Sequence, residues 1–85
     1  MKTKVNKEFI EAMQTRLDEK TSIYDGEDNP KNYKNLRGLT LINDIQEDSI
    51  KIEKAYALKN DSFAQEKLID IANRCSMLWE RLENQ

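Results

Sequence analysis

Residues Glu66–Trp79 read EKLIDIANRCSMLW, and their spacing predicts one long amphipathic helix. At about 100° per residue, Ala64, Leu68, Ile71, Cys75, Leu78 and Leu82 fall into one apolar stripe about 80° wide. Roughly opposite, Glu66, Asp70, Asn73 and Met77 recur at i, i+4, i+7 and i+11. The helix thus carries a predicted packing face and a separate polar row with two carboxylates and an amide.

Composition agrees with a helical protein. At 85 residues the chain makes one domain, 1–85, near the size where a single core is marginal and an oligomer often helps. Two Gly and one Pro, with 35% charged and 38% hydrophobic residues, favour a folded all-α chain over a disordered or β-rich one. Fourteen Lys+Arg against sixteen Asp+Glu leave no basic excess to hold a nucleic-acid backbone. The absence of His removes the usual general base and the commonest zinc ligand, and the single Cys75 has no partner for an intrachain disulfide. No apolar run approaches the length of a membrane span, and MKTKVNKEF lacks the apolar centre of a signal peptide. A cytoplasmic protein with no membrane or nucleic-acid partner is expected.

Three helices are predicted, at about 4–24, 41–58 and 63–82, with a long 25–39 loop. On the first, Val5, Phe9, Ile10, Met13, Leu17 and Tyr24 share one side, with Asn6 as an alternative N-cap. Arg16 and Lys20 project close to that apolar side. They either snorkel to water or stand beside an acidic or phosphate-bearing group. The stretch DGEDNPKNYKNLRG, 25–38, is a loop on turn chemistry, and Lys31, Lys34 and Arg37 at three-residue spacing are candidate anion contacts.

The second helix has Thr40 as its expected cap and Leu41, Ile42, Ile45, Ile52, Ala55 and Tyr56 as its apolar face. Asp48 falls inside that face. A carboxylate aimed at a core costs several kcal/mol, roughly, unless a cation or metal meets it, so Asp48 implies a buried counter-charge. The short link 59–62 makes the second and third helices antiparallel neighbours. A Ser62–Gln65 capping box is expected at the start of the third.

The segment from Ile45 to Asn73 resembles the MazG-like, all-α nucleoside triphosphate pyrophosphohydrolases. The matching residues are IQEDSIKIEKA, with Glu47, Asp48, Ile52 and Ala55, and EKLIDIAN, with Glu66 displaced by one position before Asp70 and Asn73. DEKTSIYDG, 18–26, is also similar to the start of phage-type members. The resemblance implies a helical bundle completed by a homodimer. It also implies carboxylates on two packed helices that hold Mg²⁺ against a nucleotide polyphosphate, with Glu47, Asp48, Glu66 and Asp70 as the metal ligands if the chain is active, and Asn73 as a nucleotide contact.

Two departures bear on activity. Lys51 stands where the family's third Glu is expected, and Lys67 stands where the acid three residues before Asp70 is expected. A protonated ammonium cannot ligate a cation. The preferred reading is a degenerate site in which Lys51 and Lys67 compensate the charge of Asp48 and Asp70, so that no cofactor is required and losing Lys51 is costly. The chain would then be a binding or regulatory module, of phage or mobile-element type, with a host or phage protein as partner. The alternatives are a Mg²⁺-dependent (d)NTP pyrophosphohydrolase, whose anion contacts would include Arg16 and Lys20, and a purely structural helical interaction module.

Overall fold

The computed structural model describes residues 4–23, 26 and 36–84, and among them the fold is all-α. Helix α1 spans Lys7–Ile23, α2 spans Gly38–Ala57 and α3 spans Asp61–Glu83. The centre of α3 lies between the other two helices. One side packs along α2, and an adjacent side meets α1 more sparingly. No helix among the described residues is long and apolar enough to cross a membrane.

Each boundary has a local cause. Helix α1 begins at Lys7 rather than near Lys4 because the Asn6 side chain accepts the Phe9 N–H at 3.0 Å. Helix α2 begins at Gly38, earlier than the expected Thr40 cap. Leu41 N–H donates to Arg37 C=O at 3.1 Å, and no side chain caps this end. The early start has a packing reason, since a Cβ on Gly38 would stand 3.7 Å from Leu78 Cδ1, so this turn rests on the far end of α3.

The α2–α3 turn is tighter than the sequence suggests. Lys59 adopts the left-handed region with φ 58°. Asn60 N–H then donates to Ala55 C=O at 2.8 Å and Lys59 N–H to Tyr56 C=O at 3.1 Å, the bond pair of a Schellman motif. Asn60 at once becomes the N-cap of α3, its side chain accepting the Phe63 N–H at 3.4 Å. The expected Ser62–Gln65 box does not form. Ser62 instead donates its hydroxyl to Asn60 Oδ1.

Burial corrects the assignment of faces on α3. Its buried residues are Ala64, from the predicted packing stripe, and Asp70 and Asn73, from the polar row, while Glu66 of that row stays exposed. Leu68, Cys75 and Leu82, from the predicted packing stripe, are exposed, while Ile71 and Leu78 are half-buried. On α2 the buried row is Leu41, Asp48 and Ala55, one residue per heptad, with Ile45 and Ile52 half-buried beside it. Ile42 and Tyr56 lie outside it, exposed. No residue of α1 is buried, and Phe9, Met13 and Leu17 are half-buried along its inner side. Among the described residues the buried apolar core is therefore Leu41, Ala55 and Ala64.

Candidate functional site

Two aspartates lie at the helix contacts, and each is met by a cation from another helix. Asp48 is 4% exposed, in the centre of the α2 row that faces α3. Arg74 of α3 reaches across and donates from Nη1 to Asp48 Oδ2, while its Nε lies 3.8 Å from Asp44 Oδ2. Lys51, one turn along α2, stands 3.8 Å from Asp48 Oδ1 but is itself half exposed. The principal counter-charge of Asp48 is thus Arg74.

Asp70 is 3% exposed and faces α1. Arg16 Nε donates to Asp70 Oδ1 at 3.2 Å, and Lys20 Nζ lies 3.3 Å from the same oxygen. Lys67 Nζ approaches Oδ2 at 3.6 Å from within α3, and the same ammonium lies over the Phe63 ring, 5.5 Å from its centroid. The other arm of Arg16 donates to Glu66 Oε1 at 3.1 Å. Arg16 and Lys20 therefore stand beside an acidic group of their own chain. Next to them Asn73 donates from Nδ2 to Met13 C=O at 3.0 Å, tying the buried amide to the α1 backbone.

Electrostatics follow from this geometry. Burial works against ionising Asp70, but the charges and hydrogen bonds of Lys20 and Arg16 outweigh it and hold the carboxyl below its usual range. Burial likewise opposes the charge on Arg16, and the Asp70 hydrogen bond with the nearby carboxylates more than offsets that opposition. Among the described residues, every buried side-chain nitrogen and oxygen has a hydrogen-bond partner. This satisfies the condition under which buried charge is tolerated.

The four candidate metal ligands do not gather. Glu47 is exposed and accepts from Asn43 Nδ2 at 3.4 Å, and Glu66 is half exposed against Arg16. Asp48 and Asp70 face different helices and already carry protein cations. Among the described residues, no group of three or more Cys, Asp or Glu side chains could hold a metal ion. A hard cation such as Mg²⁺ needs several free oxygens around one point, and this donor set does not fit it. Of the candidate anion contacts, Arg37 is exposed just before α2, and Lys31 and Lys34 lie outside the described residues.

A shallow cavity of about 240 Å³ separates α1 from the second half of α3, lined by Leu17, Asp18, Thr21, Asn73, Ser76, Met77 and Glu80. It lies on the Asn73 side of the network.

Arg74 is the partner of Asp48 that sequence reasoning missed. Its signal is the register of the two-residue turn: Asp48 lies eleven residues before Lys59 and Arg74 fourteen after Asn60. The turn therefore brings both near the same depth of an antiparallel pair. The expected approach of Asp48 to Asp70 is replaced by a pairing one turn further along α3, where the charge is opposite. No family model, curated protein or solved structure matches the chain.

Proposed function

We propose that this protein is a non-catalytic helical binding module, a MazG-like chain of phage or mobile-element type whose acidic positions are closed by its own cations. One observation carries the reading: both buried aspartates receive a basic side chain from another helix, Arg74 for Asp48 and Arg16 with Lys20 for Asp70. A metal entering here would have to displace guanidinium and ammonium groups and leave them half-buried without a partner. Breaking a buried pair in this way costs roughly 3–5 kcal/mol. The carboxylates thus act as structural anchors between helices. The module works in the cytoplasm as a homodimer, and a protein partner of the host or phage is its ligand.

Calorimetry and a phosphate-release assay with Mg²⁺ or Mn²⁺ and each dNTP test the first part. Neither metal-dependent nucleotide binding nor turnover is expected. Turnover that disappears in Asp48→Asn or Asp70→Asn would establish a working pyrophosphohydrolase and end the non-catalytic reading.

A further inference from the structure

Along the contact between α1 and α3 the charge balance changes. Around Asp70 the acids are met by cations, Arg16 with Lys20 for Asp70 and Arg16 again for Glu66. The cavity on the Asn73 side is different. Asp18 of α1 and Glu80 of α3 bring two further carboxylates to it, and no Lys or Arg among the described residues lines it. Neither carboxylate forms an ion pair with a described residue. Asp18 accepts on Oδ1 from Gln14 Nε2 at 2.8 Å, which brings a neutral amide and no charge.

The deepest polar group of the cavity also lacks a donor. Asn73 is 8% exposed, and its Nδ2 is committed to Met13 C=O. Its Oδ1 meets no donor among the described residues. No side-chain oxygen there is sealed from solvent without a partner, so Oδ1 opens into the cavity that Asn73 lines. Thr21 adds a second acceptor, because its hydroxyl hydrogen goes to Leu17 C=O at 2.8 Å and leaves only lone pairs to offer. Against these stand two donors, the Ser76 hydroxyl and the second Nδ2 hydrogen of Asn73.

The lining selects its ligand by sign, size and shape. Two unpaired carboxylates and a set of acceptors disfavour an anion and favour a cationic donor. Leu17 and Met77, both half-buried, supply an apolar wall for an aliphatic stem. The volume of about 240 Å³ lies below the roughly 300–1,000 Å³ of drug-sized pockets, so it suits a single side chain rather than a nucleotide. The acceptors come from two helices and two depths, since Asn73 is buried while Asp18 and Glu80 are exposed. An ammonium with three rotatable donors matches that scatter better than the planar fork of a guanidinium.

We infer that this cavity is a binding site for a primary ammonium on an alkyl stem, supplied by a lysine side chain of the protein partner. Asn73 Oδ1 receives the head, Leu17 and Met77 the stem, and Asp18 with Glu80 the charge. The choice of a protein lysine rests on the binding-module reading above, whereas the ammonium site does not. Turnover of a dNTP would end that reading and leave the cavity to its own test.

That test is a nuclear magnetic resonance titration of the isotope-labelled full chain with n-butylammonium chloride, the lysine side chain alone. The Asn73 side-chain amide signals should shift and saturate on the order of 1–10 mM, weak because the group is small. n-Butanol, of the same length but uncharged, should leave them in place. Asp18→Asn and Glu80→Gln should each weaken binding about threefold, and Glu53→Gln, an exposed acid of α2, should not change it. No saturable shift at Asn73, or a shift that n-butanol reproduces, would overturn the site. Affinity unchanged in the Asp18→Asn, Glu80→Gln double variant would overturn it too. Tighter binding of n-propylguanidinium would overturn the ammonium. Nα-acetyl-lysine methylamide should bind at least as well as putrescine, and the reverse order would replace the partner's lysine by a free diamine. Should the variants unfold, the contrast of n-butylammonium with n-butanol on the unmodified chain decides.

Discussion

The Arg74 guanidinium of α3 donates a hydrogen bond to the Asp48 carboxylate in the middle of the buried row of α2. This pairing joins the two most closely packed helices through charge at a depth where an apolar pair would be usual. Its consequences are specific, because an aspartate and an arginine each lose a partner when the other is removed.

Arg74→Met keeps much of the stem and deletes the charge, leaving Asp48 buried and short of its main partner. A loss of about 3–5 kcal/mol in unfolding free energy is expected. Adding Asp48→Asn should recover a large part of it, since the amide needs no counter-charge. Urea melts of the two single variants and the double variant measure the coupling. A shift under about 1 kcal/mol for Arg74→Met would place the pair among solvated surface contacts.

Lys51→Met should behave differently. The sequence alone makes Lys51 the compensating charge for Asp48 and its loss costly. The structure puts its ammonium at 3.8 Å and half exposed, with Arg74 taking the closer position. The expected loss is below about 1 kcal/mol. For the same reason the Lys51→Glu, Lys67→Glu double variant should gain no stability from Mg²⁺, because Arg74 and Arg16 still occupy the two aspartates. Melts with and without Mg²⁺ check this, and a clear metal-dependent rise would contradict it.

Asp70 gives a pH dependence of known sign. Its carboxyl is held below the ordinary value of about 3.9 in the folded chain, so the folded state binds the proton less readily than the unfolded one. The stability this contributes is present above the ordinary carboxyl range. It is lost as pH falls through that range towards the folded value. Asp70→Asn should therefore flatten the fall in stability below pH about 5, while costing stability at neutral pH. Parallel slopes for the two proteins in melts from neutral pH downward would refute the assignment.

Lys59 offers a gain rather than a loss. It is the described non-glycine residue with a positive φ, at 58°, and it closes the Schellman turn between α2 and α3. A side chain there costs about 1 kcal/mol relative to glycine, less what glycine loses by freeing the unfolded chain. Lys59→Gly is expected to raise stability by a few tenths to about 1 kcal/mol. Asn60→Ala, which removes the adjoining cap of α3, should lower it by about 0.5–2 kcal/mol. Thermal melts of both variants test the turn.

The helices were legible in the sequence because their causes are local. Apolar spacing near 3.6 residues, glycines and the proline confined to 26–38, and Asn6 before the first helix mark the elements to within a few residues. The requirement for a charge opposite Asp48 was also legible, since an aspartate within an apolar row carries its desolvation cost wherever the chain folds. Which cation answers it was decided by tertiary structure. The two-residue turn at Lys59 and Asn60 sets the α2–α3 register and delivers Arg74, while α1 supplies Arg16 and Lys20 to Asp70. The same limit explains the inward turn of Asp70 and Asn73 on α3. Periodicity puts Ala64, Leu68, Ile71, Cys75, Leu78 and Leu82 in one stripe, but only packing shows that Ala64 is buried and Ile71 and Leu78 half-buried while Leu68, Cys75 and Leu82 stay exposed. Among the described residues, buried and fully paired charge joins the helices at Asp48 and Asp70, and Leu68, Cys75 and Leu82 are left facing outward.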